Sequence, residues 1–316
     1  MNEENKSLFH YTSNEGAIGI ISSANLHATN YKYLNDSYEL KISRDFLVPK
    51  FAADFETEAH KLIAEGLGKQ SYLEDKGKNF CQQEARKLFD IIVRKMDFGS
   101  PVFITSFCRH DYSSGEWHHG LLSQWRAYGA RGGCALEFDQ TKLGELLRDE
   151  ENSFAYTHIS VRKVDYEKHE MAFDQNEIGT VAGVMLRLLI DNSEQNQRLY
   201  REKIEKLYDA IAVVGPTLKK ASFREEQEVR IIAPLMRLKS PEAIERRPRE
   251  IFFKYRGGLP VPYIKLLDGV QRLPITRIIV GPQRDQDKVC YALQLALEAK
   301  KMECQVTASE ISYLPN

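Results

Sequence analysis

The chain has 316 residues, 42% hydrophobic and 28% charged, and its 44 Lys and Arg nearly cancel its 45 Asp and Glu, leaving a formal net charge of −1. This composition excludes disordered and collagen-like classes and supplies enough apolar side chain for a large core. It creates no whole-molecule field toward nucleic acid or an anionic membrane. Five widely spaced cysteines (Cys81, Cys108, Cys134, Cys290, Cys304) form no CxxC pair, so neither a disulfide framework nor a zinc ribbon is expected and a reducing compartment is. The amino-terminal MNEENKSLFHYTS has no basic region followed by an apolar one, and no apolar run approaches the roughly 18 residues of a membrane span. The expectation is a cytoplasmic protein with no membrane partner.

In chain order, LFHY (8–11) predicts a short strand, and Ser13 or Asn14 can cap a helix that buries Ala17, Ile18, Ile20 and Ile21 and ends near Ser23. A strand from Leu26 to Thr29 leads into the turn-rich NYKYLND. From Asp36, a plausible N-cap, the sequence to Met96 is mostly helical and charged. PVFITSFC (101–108) has the β-branched and aromatic composition of a buried strand. HDYSSGEWHHG (110–120) predicts a mobile loop, followed by a short helix at 121–128 and a strand ending at Phe138. Residues 158–166 alternate as a strand. About 168 to 221 reads as two or more helices, broken by Gly215-Pro216. EVRIIAP (228–234), EIFFKY (250–255), VPYIKLL (261–267) and ITRIIVG (275–281) predict four more strands, before a helix at 284–300 and a last strand near Cys304 to Thr307. The pattern is α+β with a mixed or antiparallel sheet, read as a single domain 1–316 with helical insertions at about 36–98 and 168–221.

Several polar groups stand out. On a strand, His10 and Thr12 point one way and Phe9 and Tyr11 the other, which separates a polar from a hydrophobic face. A single His at a strand end is more often a hydrogen-bonded structural residue than a ligand. In FREEQEVRII (223–232), acidic residues crowd the start of a strand, and period two places Glu226, Glu228 and Arg230 on one face. That face meets either solvent or a cleft; in a cleft Arg230 orients Glu228, and crowded carboxylates acquire perturbed pKa values. Ser106 in ITSFCR could bond a ligand amide or ribose, and Trp125 or Tyr128 could stack on a planar ring, although buried strand and core aromatics explain the same residues. Asn35, Asp36 and Glu39 form a further polar cluster or a simple helix cap. G-x-G-x-x-G after a strand, a P-loop, H-E-x-x-H and a nucleophile elbow are absent, and His118-His119 has no metal-ligand spacing, so no metal is assigned.

Taken together, LFHYTS, L-x-A-T-N-Y-x-Y-L-N-D-S-Y-E, ITSFC, Q-W-R-A-Y-G-x-x-G-G-C-A-L-E-F, F-x-E-E-Q-E-V-R, I-I-V-G-P and a terminal S-x-I-S-Y occur in this order from residue 8 to about 313. The combination resembles the bacterial domain-of-unknown-function family 2971, with Phe223 where the family usually shows Trp and Val229 where it usually shows an aromatic. A further resemblance, to the ADP-ribosyltransferase fold, rests on His10 with Thr12, Thr105-Ser106 and Glu226-x-Glu228 in that order. It implies a split sheet, NAD as substrate, Glu228 or Glu226 as the carboxylate beside the ribose, His10 and Ser106 on the ribose and nicotinamide, and Tyr11 or Tyr128 stacked on the nicotinamide. Tyr11, Thr12, Thr105 and Arg230 would complete the binding set.

The same resemblance implies a bacterial stress, toxin or phage-defence role and a protein or nucleic-acid acceptor. NAD hydrolysis, with water as acceptor, is the first alternative. A non-catalytic nucleotide- or nucleic-acid-binding module is the second, supported by RLKSPEAIERRPREIFFKYRGG (237–258), where basic residues interleave with Phe252, Phe253 and Tyr255.

Overall fold

The structure is a computed structural model that describes residues 7–34, 39–70, 75–128, 132–166, 175–236 and 246–312. The helices are α1 (Asn14–Ser23), α2 (Glu39–Ala64), α3 (Asp75–Arg94), α4 (Glu116–His119), α5 (Leu122–Tyr128), α6 (Gln140–Ser153), α7 (Gln175–Ile190), α8 (Glu194–Val214) and α9 (Gln286–Ala299). The strands are β1 (Ser7–Ser13), β2 (Leu26–Asn30), β3 (Val102–Cys108), β4 (Gly133–Asp139), β5 (Ser160–Lys163), β6 (Glu228–Pro234), β7 (Phe252–Arg256), β8 (Leu259–Leu266), β9 (Ile275–Val280) and β10 (Gln305–Ala308). The class is α+β. The chain divides into two compact units. One comprises 1–33, 103–164 and 220–316, the other 34–102 and 165–219.

In the first unit the strands run β10-β9-β4-β1-β3-β2-β8-β7, with β6 paired to β3 and β5 to β6. β9 and β10 are parallel, whereas β1 with β4, β2 with β8 and β7 with β8 are antiparallel, so the sheet is mixed. β1 is apolar on both faces, not one. Leu8 enters a large core with Phe103, Phe107, Leu136, Val229, Ile231 and Ile264, while Phe9 and Tyr11 enter a smaller one with Cys108, Leu121, Trp125 and Ile279. Ser13 caps α1, its Oγ accepting from the Gly16 amide at 3.1 Å, and Ala24 closes the helix in the left-handed region at φ 51°.

Three expectations of local structure change. Residues 140–153, which the sequence reading leaves unassigned, form α6, capped by Asp139 accepting from the Thr141 and Lys142 amides and buried through Leu143 and Leu147. The strand expected over 158–166 shortens to β5. The loop expected at 110–120 contains α4 and is fastened down: Tyr112 stacks on Trp117 at 3.8 Å, and Arg277 donates to the Trp117 carbonyl at 2.7 Å.

The second unit is helical. Leu47, Phe51 and Phe55 of α2, Leu88 and Ile92 of α3, Val181 of α7 and Leu207 and Ile211 of α8 are buried there, recurring at the three- and four-residue spacing of helix faces. Tyr208 donates to the Ser100 carbonyl, and Lys95 lies 4.1 Å from the Tyr208 ring. Asn35 and Asp36 lie outside the described residues. Among the described residues, no helix is long and apolar enough to cross a membrane.

Candidate functional site

β3 has three partners. It meets β2 through Thr29↔Ile104 and Asn30↔Phe103, β1 through Phe9↔Cys108, and β6. Ser106 lies between the first two contacts, where its carbonyl is 2.9 Å from His10 Nδ1. A carbonyl only accepts, so Nδ1 carries the proton. Burial lowers the pKa of His10, outweighing the upward pull of the Ser106 bond, and the Lys254 charge lowers it further. The ring is therefore neutral with Nε2 left as an acceptor, and His10 is only half-buried. Beside it, Thr105 is buried and its Oγ1 donates to the His27 carbonyl at 3.0 Å. His10 and Ser106, both expected at the ribose and nicotinamide, thus meet through ring and backbone.

Other sequence candidates fall elsewhere. Tyr11 is buried at 6% exposure in the smaller core, its hydroxyl accepting from the Leu121 amide at 2.7 Å and lying 2.9 Å from His110 Nε2, with Trp125 edge-on at 4.7 Å. Enclosed there, it offers no free ring to nicotinamide. Trp125, fully enclosed, donates through Nε1 to the His119 carbonyl. Gly120 permits this packing: at φ +79°, a Cβ there would lie 2.6 Å from the Trp125 ring. Thr12 abuts the first turn of α1, where a Cβ on Gly16 would meet its Oγ1 at 2.1 Å. Tyr128 is 43% exposed at the end of α5.

Glu228 opens β6, and Arg230 grips it with two bonds, Nε to Oε1 at 2.7 Å and a terminal nitrogen to Oε2 at 2.9 Å, both residues buried. The orientation expected of Arg230 toward Glu228 is present. Glu226 does not share their face by strand alternation, because β6 begins at Glu228. Residues 221–226 form a 3-10 turn and Gln227 adopts the left-handed region at φ 43°, which resets the register between the two carboxylates. The Arg109 amide donates to the Gln227 carbonyl at 3.0 Å, bringing the start of β6 to the end of β3.

Sequence reasoning passed over the face that β2, β8 and β7 share near this point. Leu26, Ala28, Ile264 and Leu266 enter the large core, so the alternate residues His27, Thr29, Tyr263 and Lys265 occupy the other face. The registers Thr29↔Tyr263, His27↔Lys265, Phe252↔Tyr263 and Lys254↔Val261 bring Phe252 and Lys254 onto it. The legible signal was the period-two spacing of Val261, Tyr263 and Lys265. Of the basic segment, 237–245 lies outside the described residues. Arg249 is committed internally, bonding Glu150 and Tyr156, whereas Phe253 and Tyr255 are 65% and 79% exposed.

No curated protein and no solved structure matches the chain. Residues 124–231, from Gln124 in α5 to Ile231 in β6, include Glu228 and Arg230 but not His10. They match the family model described as "Protein of unknown function (DUF2971)", a match that covers the middle third of the chain.

Proposed function

We propose that this protein takes NAD as substrate at the branch of its sheet and transfers ADP-ribose to a protein or nucleic-acid acceptor, with water as the acceptor in the hydrolytic variant. The observation that carries the reading is the neutral, half-buried His10 ring held on Ser106 while Glu228 begins the strand paired to the same β3. The residues suit the substrate. His10 Nε2 is an acceptor for a ribose hydroxyl. Glu228 is buried at the start of β6 with both carboxylate oxygens held in place by Arg230.

In the reaction, the C1′–N bond to nicotinamide breaks and nicotinamide leaves with the bonding pair. The acceptor oxygen or nitrogen then bonds C1′ and releases its proton to solvent. Positive charge develops on the ribose, as in glycoside cleavage, and a buried carboxylate beside it stabilises that charge more than water would. Arg230 is the positioning residue for Glu228. Such an activity would place the chain among NAD-consuming proteins of bacterial stress, toxin or phage-defence type.

The test is nicotinamide release from NAD by the purified protein, with protein and RNA fractions as acceptors. Glu228→Gln is expected to lower release by roughly a hundredfold or more at an unchanged circular dichroism spectrum. His10→Gln, which does not disturb the buried pair, provides a second reading and is expected to weaken NAD binding. Folded wild-type protein that neither binds nor consumes NAD would discard the proposal.

A further inference from the structure

His27, Lys254 and Lys265 gather three basic side chains on one face of β2, β7 and β8 against two aromatic rings. Lys254 Nζ lies 5.4 Å from the Tyr263 ring centre, Lys265 Nζ lies 4.4 Å from that of Phe252, the His27 and Tyr263 rings are 4.3 Å apart, and Phe252 and Tyr263 are 5.6 Å apart. Among the described residues, neither lysine has a carboxylate within ion-pair distance. Burial and the Lys254 and Lys265 charges push the His27 imidazole down to about 4, and burial with the Arg256 charge lowers the Lys254 ammonium.

Elsewhere in the same unit the protein neutralises its buried cations. Arg230, Arg249 and Arg277 each hold a glutamate. Two half-buried ammonium groups, Lys254 and Lys265, that share one face with no acid among the described residues are unfavourable by themselves and become favourable when an anion enters. The aromatic rings position the two ammonium groups and leave their remaining N–H donors for a ligand.

We infer that Lys254, Lys265 and His27 form an anion-binding subsite that takes the phosphoryl groups of a small phosphorylated ligand, a nucleoside diphosphate or the diphosphate of a dinucleotide. The shared chemistry is a compact multivalent oxyanion. The His27 carbonyl accepts from Thr105, the residue before the Ser106 that holds His10, so the subsite adjoins the branch of the sheet. If NAD is the substrate, this is where its diphosphate lies; the subsite stands on its own geometry and does not depend on ADP-ribosyl transfer.

The experiment is calorimetric titration of the full chain with inorganic pyrophosphate, ADP and adenosine. Pyrophosphate and ADP are expected to bind and adenosine is not. Lys254→Gln and Lys265→Gln are each expected to raise the dissociation constant for pyrophosphate roughly ten- to hundredfold. Lys288→Gln, which removes a lysine paired with Asp285 in α9, is expected to leave it unchanged. Because pyrophosphate has no glycosidic bond, the titration reads the subsite whether or not NAD is turned over. Absence of pyrophosphate binding, equal binding of adenosine and ADP, or equal loss in Lys288→Gln would overturn the assignment. A single-stranded oligonucleotide that binds far more tightly than ADP, and loses affinity in Phe253→Ala and Tyr255→Ala, would overturn the small-ligand commitment in favour of a polymer surface.

Discussion

Two sets of buried or half-buried cations in one structural unit are handled in opposite ways. Arg277 donates from Nε to Glu137 at 2.8 Å and to the Trp117 carbonyl, its guanidinium 4.5 Å from the Trp117 ring, while Ser7 donates to the other Glu137 oxygen at 2.7 Å. Arg249 is similarly absorbed by Glu150 and Tyr156, with the second Glu150 oxygen accepting from the Leu267 amide. These planar, many-donor groups are saturated from within and tie elements together. Lys254 and Lys265 are compact charges set on aromatic rings with no acid among the described residues. The difference separates groups that complete the fold from groups that remain open to a ligand.

The comparison is sharpest where an internal pair is broken. Arg277→Met leaves Glu137 buried without its cation and is expected to cost about 3–5 kcal/mol in urea unfolding, whereas Glu137→Met with Arg277→Met together should cost much less. A double variant as unstable as the single would mean that the arginine acts through packing on Phe9 and Trp117, not through charge compensation. The open side predicts the reverse: Lys254→Gln should alter ligand binding and leave the unfolding midpoint near that of wild type.

A smaller effect tests which face of β1 is functional. Tyr11→Phe strips the hydroxyl that the Leu121 amide and His110 share, and is expected to cost about 1–3 kcal/mol without changing pyrophosphate or NAD binding, because Tyr11 lies in the smaller core. Weakened ligand binding at full stability would return Tyr11 to the site.

The smallest expected effect is a pH slope. Burial and the Arg277 charge push the His110 imidazole down to about 3, against an ordinary 6.5. Between those values the unfolded chain takes up a proton that the folded chain does not, so this contribution is complete above about pH 6.5 and is lost as pH falls toward 3. His110→Phe, which preserves the stack that His110 makes on Phe9 at 3.6 Å, should flatten that part of the stability profile. An unchanged slope would show that His110 titrates alike in both states.

Local chemistry made much of this legible in the sequence. β-Branched and aromatic runs marked β3, β6, β8 and β9, and the Ser13-Asn14 pair marked the start of α1, because strand composition and capping act over a few residues. The two-residue spacing of Glu228 and Arg230 survived as a bidentate pair because both lie within one strand. Glu226 was misplaced because one left-handed residue, Gln227, resets the alternation, and nothing in its side chain signals that conformation. His10 was legible as a candidate, but its partner, the Ser106 carbonyl, lies 96 positions away and is a backbone atom with no sequence signature.

By itself, then, the sequence determined the helical and strand composition of the chain, most strand positions and the chemical types of its candidate groups, since these depend on neighbours in the chain. Only the tertiary structure decided that Tyr11 is enclosed, that Arg249 and Arg277 are neutralised at home, and that His27, Lys254 and Lys265 share a face, because strand order and cross-strand register bring together residues that chain spacing cannot relate.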